Sequence, residues 1–214
     1  METGEDWTDI GRRIRTAREA AGVSVRELGR RVGVSPSHIS QVERGLGSFS
    51  VSTLYAVASR LSISLDSLFE TPADPAPLRD VEPSPLDGTM ILRAELRPAI
   101  KLASGPRWER LTAQSDPEAE FLEVIYEPSA TGAEAEFSRH DGVEYGVVIA
   151  GELSVQVGFE ATVLRAGDSI RVDSTLPHRY WNAGTEPVRA IWFEARGAGG
   201  HARDGGFSDT EHSG

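Results

Sequence analysis

The sequence predicts a multidomain α+β protein in which an N-terminal all-α domain precedes an all-β domain. Residues 10–69 form short segments whose apolar residues recur at helical spacing. From residue 89 to residue 196 the pattern changes to short runs that alternate apolar and polar residues, as strands do. The segment 71–88 between them holds five prolines, and its 18 residues show no periodicity, which indicates a linker.

The composition is that of a globular protein without disulfides. The 214 residues contain no cysteine, which excludes thiolate ligands and fits a cytoplasmic location. The N-terminus is acidic and lacks an apolar core, so it is not read as a secretory signal. Apolar runs such as Val147 to Ala150 are too short to cross a bilayer, and we expect no membrane partner.

The charge is distributed unevenly along the chain. The net charge is −11, yet residues 10–62 hold nine arginines and three glutamates, a balance of +6. The remaining residues hold 13 basic and 30 acidic side chains, a balance of −17. A basic segment on an acidic remainder indicates local binding of a polyanion such as nucleic acid.

The N-terminal domain is predicted over residues 8–70. Its first helix begins near Ile10 and ends at Gly22. Ser24 is expected to cap a second helix, and Glu27, three residues later, completes the pattern of a capping box. This second helix should end at Gly33.

A third helix follows the second after a very short turn. Ser35 is placed as its N-cap, Pro36 as its first residue and Gly45 as its end. Two more helical segments, 51–62 and 64–69, complete the domain. A helix, a short turn and a second capped helix form the helix-turn-helix layout, whose second helix enters the major groove of DNA.

Residues 24–45 resemble the lambda-repressor-like, or XRE, family of DNA-binding proteins. The resemblance includes five apolar positions of the family: Leu28, Val32, Val34, Ile39 and Val42. It implies a double-stranded DNA operator as partner, with three residues facing base edges: Ser37, His38 and Gln41. It also implies four phosphate or groove-rim contacts: Ser24, Arg26, Ser40 and Arg44. The alternative is a helical protein-interaction module on which these residues are only solvated surface.

The predicted strands of residues 89–196 include TMILRAEL, EFLEVIYEP, EYGVVIAG and VRAIWFEA. Many short strands without helices indicate a β-sandwich or barrel. The linker 71–88 should hold the two domains apart, although it could also pack on a surface. The tail 197–214 is rich in glycine and polar residues, so we expect it to be disordered.

Two motifs in the strand region resemble those of the cupin superfamily, a double-stranded β-helix or jelly-roll barrel. The first contains Gly132, Ser138, His140, Glu144 and Gly151, with Ser138 where the usual first histidine would stand. The second contains Gly167, His178 and Asn182 at the family's spacing.

The resemblance implies a metal site made of His140, Glu144 and His178. Two histidines and one carboxylate suit Fe(II), and Zn, Ni, Mn or Co are further possibilities for the divalent ion. The alternative is a vestigial site, in which His140 and Glu144 bind each other and an effector without a metal.

A small-molecule effector pocket is predicted around the same motifs. If His178 points inward, Tyr180 and Asn182 share its face by strand alternation. Ser138 and Tyr145 complete the predicted effector residues, while core packing is the alternative for the aromatic side chains.

Two functions fit this domain order. The first is a transcriptional regulator without enzymatic activity, which would bind an operator as a homodimer and sense a small molecule through the cupin domain. The second is a mononuclear iron enzyme, because hydroxypropylphosphonate epoxidases resemble this layout and its two-histidine, one-glutamate ligand pattern. The arginine-rich helical domain favours the regulator. The sequence names neither the effector nor the operator.

Overall fold

The structure, a computed structural model, describes residues 7–69, 84–103, 105–116, 118–128 and 136–195. The predicted tail 197–214, Gly132 of the first cupin motif and most of the predicted linker lie outside the described residues. The end of that linker, residues 84–88, forms turns in which Ser84 donates its N–H to Asp87.

Four α-helices form the N-terminal domain within the described residues: α1 (Trp7–Ala20), α2 (Val25–Val32), α3 (Pro36–Val42) and α4 (Val51–Leu61). A single 3-10 turn, Asp66–Leu68, follows them. The predicted helices are all present, and the domain is all-α as expected.

Local capping explains where α2 begins and ends. The Ser24 hydroxyl accepts the N–H of Glu27 at 3.1 Å, and Gly33 ends the helix in the left-handed region with φ of 77°. The capping box is only half formed. The Glu27 carboxylate binds Arg30 and Arg31 at 2.7 Å each, because these side chains lie one helical turn further on.

The helical domain packs around fully buried apolar side chains from every helix, including Ile14, Leu28, Ile39 and Leu54. Beside this core, Arg18 of α1 forms a two-pronged ion pair with Glu43 at the end of α3, with N–O distances of 2.5 and 2.9 Å. The pair fixes the position of α3 relative to α1.

Nine strands form the C-terminal domain within the described residues: β1 (Ala99–Lys101), β2 (Arg107–Arg110), β3 (Ala119–Tyr126), β4 (Val143–Ala150), β5 (Glu152–Val157), β6 (Glu160–Arg165), β7 (Ser169–Asp173), β8 (His178–Trp181) and β9 (Val188–Ala195). They make a six-stranded sheet in the order β1-β2-β3-β9-β4-β7 and a three-stranded sheet in the order β6-β5-β8. All pairs are antiparallel. The predicted all-β class is therefore confirmed.

One predicted strand is absent. The run TMILRAEL forms only an isolated bridge at Ile91 and a 3-10 turn at Ala94–Leu96. Its backbone bonds locally, since the N–H groups of Met90 and Ile91 donate to the carbonyl of Leu86. A segment whose backbone groups are already satisfied by a turn has fewer available for a sheet.

The two domains pack directly on each other, so the expectation that the linker holds them apart is wrong. The Trp7 indole N–H donates to the carbonyl of Lys101 at 2.8 Å, and the N–H of Ala103 donates to the carbonyl of Phe49 at 3.1 Å. The Tyr55 ring of α4 meets the Trp108 ring edge-on at 5.8 Å. Apolar side chains of both domains thus share one cluster, and removing them from water favours contact.

Among the described residues, no helix has both the length and the apolar character needed to span a membrane.

Candidate DNA-binding surface and metal-effector pocket

Helix α3 presents one buried and one exposed face. Ile39 and Val42 are fully buried in the helical core. Ser37, Gln41 and Arg44 lie on the exposed side, at the positions predicted to meet DNA. The N-terminus of α3 is capped by Ser35, whose hydroxyl accepts the N–H of His38 at 3.2 Å. A helix that is capped and carries polar residues on its exposed face can enter the major groove of DNA without unfolding.

The other predicted DNA contacts differ in their exposure. Ser24 and Arg26 are exposed at the start of α2, and Ser40 is half-buried. The carbonyl of Ser40 accepts a hydrogen bond from Arg44 Nε at 3.0 Å. The His38 ring packs against Phe49 with ring centroids 5.4 Å apart, so part of this side chain is committed to the domain interior.

The predicted metal ligands come together between the two sheets. His140 precedes β4, Glu144 lies on β4 and His178 begins β8. Nε2 of His140 is 2.9 Å from Oε1 of Glu144, and Nε2 of His178 is 3.3 Å from the same oxygen. The three ligand atoms all lie within 4.8 Å of one another, close enough to share one ion.

Hydrogen bonds orient both imidazoles for metal binding. Nδ1 of His178 donates to the carbonyl of Leu176 at 2.9 Å, since a carbonyl can only accept. Nδ1 of His140 lies 3.3 Å from Oε1 of Glu194. Nε2 of His140 is buried, and among the described residues its polar contact is the one with Oε1 of Glu144 given above. An imidazole held through Nδ1 by an acceptor, with Nε2 aimed at a carboxylate, is the arrangement of metal-ligating histidines, so these residues fit a divalent ion.

The charges of the site shift the pKa values of its members. Burial would lower the pKa of His140, but the adjacent carboxylates of Glu144 and Glu194 outweigh burial and raise it to about 10. Burial would raise the pKa of Glu144, but His140 and His178 outweigh it and lower this pKa to about 2. Burial and the charge of Glu144 raise the pKa of Tyr180, whose hydroxyl donates to Oε2 of Glu144 at 2.7 Å.

Glu144 is one of three buried carboxylates in a row. The register pairs Glu144 on β4 with Glu194 on β9, and Glu194 with Glu120 on β3. Each is at most 6% exposed. Like charges directly opposite each other on neighbouring strands destabilise a sheet, so this row favours bound positive charge. Glu120 and Glu194 were not predicted, because strand pairing and not sequence spacing places them here.

The cavity above this row has a volume of about 90 Å³. Four aromatic side chains of the β domain line it: Trp108, Tyr126, Tyr180 and Trp192. A Cβ at Gly146 would lie 2.5 Å from the Trp192 ring, so only glycine allows this ring to lie against β4. Aromatic walls with a few charged groups suit a small molecule.

The predicted effector residues separate into two groups. Ser138 and Tyr180 line the cavity. Tyr145 does not, because strand alternation turns it to the opposite face from Glu144, where it is 47% exposed beside Arg171. Asn182 is buried but serves the backbone: its amide donates to the carbonyls of Tyr126 and Glu186 at 2.9 and 2.7 Å. Neither Tyr145 nor Asn182 therefore lines the cavity in which the effector was expected.

Helix α4 of the helical domain supplies a wall of the cavity that the sequence did not predict. Ser50, Val51, Ser52 and Tyr55 line it together with the β-domain residues. The Tyr55 ring stacks on the His140 ring, and the Tyr55 hydroxyl donates to Glu194 at 3.0 Å. The sequence around these residues shows only the apolar spacing of an amphipathic helix, so it contains no pattern that indicates a pocket.

Family models match a part of each domain. Residues 14–68 match the helix-turn-helix family, and residues 122–194 match the cupin domain family. The chain is 26% identical over 183 residues to the HTH-type transcriptional regulator PuuR of Escherichia coli. The aligned region covers 85% of this chain and 91% of PuuR. The chain is 27% identical over 181 residues to the HTH-type transcriptional regulator SutR of the same organism, covering 82% and 88%.

A solved structure of a regulator shows the same fold. An HTH_3 family transcriptional regulator from Vibrio cholerae overlays with a TM-score of 0.60 at 20% identity, covering 89% of this chain and 96% of that one. A hydroxypropylphosphonic acid epoxidase from S. wedmorenis covers 90% and 100% at 23% identity, but its TM-score of 0.43 is too low to bear on function.

Proposed function

We propose that this chain, which joins an XRE-type helix-turn-helix domain to a cupin domain, is a DNA-binding transcriptional regulator that senses a small molecule. The observation that carries the proposal is α3, a capped helix whose Ser37 and Gln41 are exposed opposite a fully buried face, with Arg44 exposed two residues after its end. The two regulators named above have matching regions over most of their length, which supports the same role here.

The cupin pocket is the sensor in this proposal. A divalent ion held by His140, Glu144 and His178 would supply a positive charge and open coordination positions for an effector oxygen or nitrogen. Fe, Zn, Ni or Mn would each be compatible with this donor set. Ser138 and Tyr180 stand at the edge of the same cavity and provide hydroxyl groups for the effector.

A homodimer in the cytoplasm completes the proposal. Helix-turn-helix proteins bind two half-sites related by symmetry, so two copies of α3 would read one operator. A DNA operator as partner supports a cytoplasmic location.

DNA binding is tested by selecting an operator from random duplexes and measuring affinity against salt. Arg44→Ala should weaken binding to all sequences and reduce the salt slope by about 1, because one phosphate contact is lost. Gln41→Ala should instead cost about 1–3 kcal/mol of discrimination at a single base pair. Arg165→Ala is the matched control, since this exposed arginine lies on β6 of the cupin domain.

A second candidate function is an iron-dependent oxygenase or epoxidase-like enzyme, which the two-histidine, one-carboxylate set favours. The same preparation distinguishes the two. Absence of any selected sequence, together with oxygen consumption on addition of Fe(II), would show that the enzyme is the correct function.

Metal affinity should rise with pH. The metal-free protein holds a proton on His140, whose pKa is about 10, and a metal must displace that proton. Glu144, with a pKa of about 2, is already ionised and does not oppose binding above mildly acidic pH. We expect Zn(II) affinity measured by calorimetry to increase about tenfold per pH unit around neutrality. An affinity that does not change over this range would contradict the assigned protonation.

A further inference from the structure

Tyr55 belongs to the helical domain but contacts the predicted metal site of the other domain. Its ring lies flat on the His140 imidazole, with centroids 3.8 Å apart and planes 2° from parallel. Its hydroxyl donates to Oε2 of Glu194 at 3.0 Å. One side chain therefore contacts both a metal ligand and the carboxylate that orients this ligand.

These contacts form a continuous chain of interactions across the domain boundary. The Tyr55 hydroxyl holds one oxygen of Glu194, and the other oxygen lies 3.3 Å from Nδ1 of His140. His140 in turn points Nε2 toward Glu144. Groups that hold the orienting partner of a ligand tune metal affinity, even though they never touch the ion.

Helix α4 cannot move away from the pocket without moving the helical domain. Leu54, Val57 and Ala58 of α4 are buried in the core of that domain. At its N-terminus, the hydroxyls of Ser50 and Ser52 donate to the Glu136 carboxylate of the cupin domain at 2.9 and 2.7 Å. Tyr55 can therefore stack on His140 only when the whole helix-turn-helix domain is docked on the cupin domain.

We propose that Tyr55 is a positioning residue that makes metal binding and docking of the DNA-binding domain mutually dependent. A metal held by His140, Glu144 and His178 stabilises the docked orientation, and an undocked domain leaves a weaker metal site. The dependence is reciprocal, because a coupling free energy between two sites acts equally in both directions. This inference rests on the metal site of the proposed function and adds the regulation of that site.

The first experiment measures Zn(II) affinity of the full chain by calorimetry. Tyr55→Phe removes only the hydroxyl and keeps the ring on His140, so the protein should fold while its affinity falls about tenfold. Tyr145→Phe is the matched control, because it removes a hydroxyl from an exposed tyrosine next to Glu144 on the opposite face of β4. Equal affinities for wild type and Tyr55→Phe would overturn the proposal.

The second experiment measures the distance between the domains by pulsed electron paramagnetic resonance. The chain has no cysteine, so labels can be placed through Arg30→Cys on α2 and Phe159→Cys between β5 and β6, both exposed positions. Zn(II) should narrow the distance distribution, and Tyr55→Phe should broaden it and reduce this response. Zn(II) binding that leaves the distribution unchanged overturns the coupling alone. Failure of wild type to bind Zn(II) overturns the metal site as well, whereas operator binding is judged separately.

Discussion

Arg18→Ala should lower the free energy of unfolding of the helical domain by about 3–5 kcal/mol, because it leaves the Glu43 carboxylate buried without its partner. The side chains of Arg18 and Glu43 are only 9% and 6% exposed, and the pair joins α1 to the end of α3. Arg18 also donates to the carbonyl of Val23 at 3.0 Å. We expect the variant to lose operator affinity, because α3 is no longer held in place. Urea unfolding followed by circular dichroism measures the effect.

Arg15→Ala provides the control for this prediction. Arg15 pairs with Glu19 on the same helix, but the two side chains are 58% and 53% exposed. Such a pair contributes less than about 0.5 kcal/mol, so the stability of this variant should match wild type. The double variant Arg18→Met, Glu43→Met should recover much of the lost stability, since it buries no lone charge. Similar stabilities of Arg18→Ala and Arg15→Ala would show that the buried pair is not important.

His178→Ala should abolish metal binding at the site. His178 is one of three proposed donors. Loss of an outer-shell partner alone weakens metal sites by about 10–100-fold, so loss of a donor should cost more than about 100-fold. Metal content of the purified protein and Zn(II) calorimetry measure this directly. His178→Gln retains side-chain volume in this fully buried position and separates loss of the donor from loss of packing.

His38→Ala is the matched control for metal binding, because His38 lies in the helical domain against Phe49, away from the pocket. It should retain the metal content of wild type. Negligible metal in wild type and in His178→Ala alike would reject the metal site.

The helical domain could be predicted almost entirely from the sequence. The Ser24 and Ser35 caps, Pro36 at the start of α3 and Gly33 at the end of α2 act on backbone groups within a few residues. The second half of the capping box failed, because Glu27 had two arginines within reach on its own helix. The predicted end of α3 at Gly45 is also wrong, since the helix ends at Val42 with Glu43 as its C-cap. The strand predicted at residues 89–96 is absent for a related reason. Alternation of apolar and polar residues does not distinguish a strand from a turn whose backbone groups are already hydrogen-bonded.

The pocket could be predicted only in part. His140, Glu144 and His178 follow from the resemblance to the cupin motifs, and the structure brings them together. Glu194 could not be assigned, because its place beside Glu144 depends on the pairing of β9 with β4. Tyr145 and Asn182 do not line the cavity, because spacing alone does not show which face of a strand turns inward or which side-chain amide bonds to the backbone.

The sequence by itself determined the two domain types, the N-terminal caps of α2 and α3, and the donor set of the candidate metal site. Each of these depends on residues close together in the chain or on a motif of fixed spacing. Tertiary structure alone decided that α4 closes the pocket and that Tyr55 lies on His140. This contact joins residues 85 positions apart in the numbering. It exists because apolar and hydrogen-bonding surfaces of two separately patterned domains complement each other, a property that no local pattern encodes.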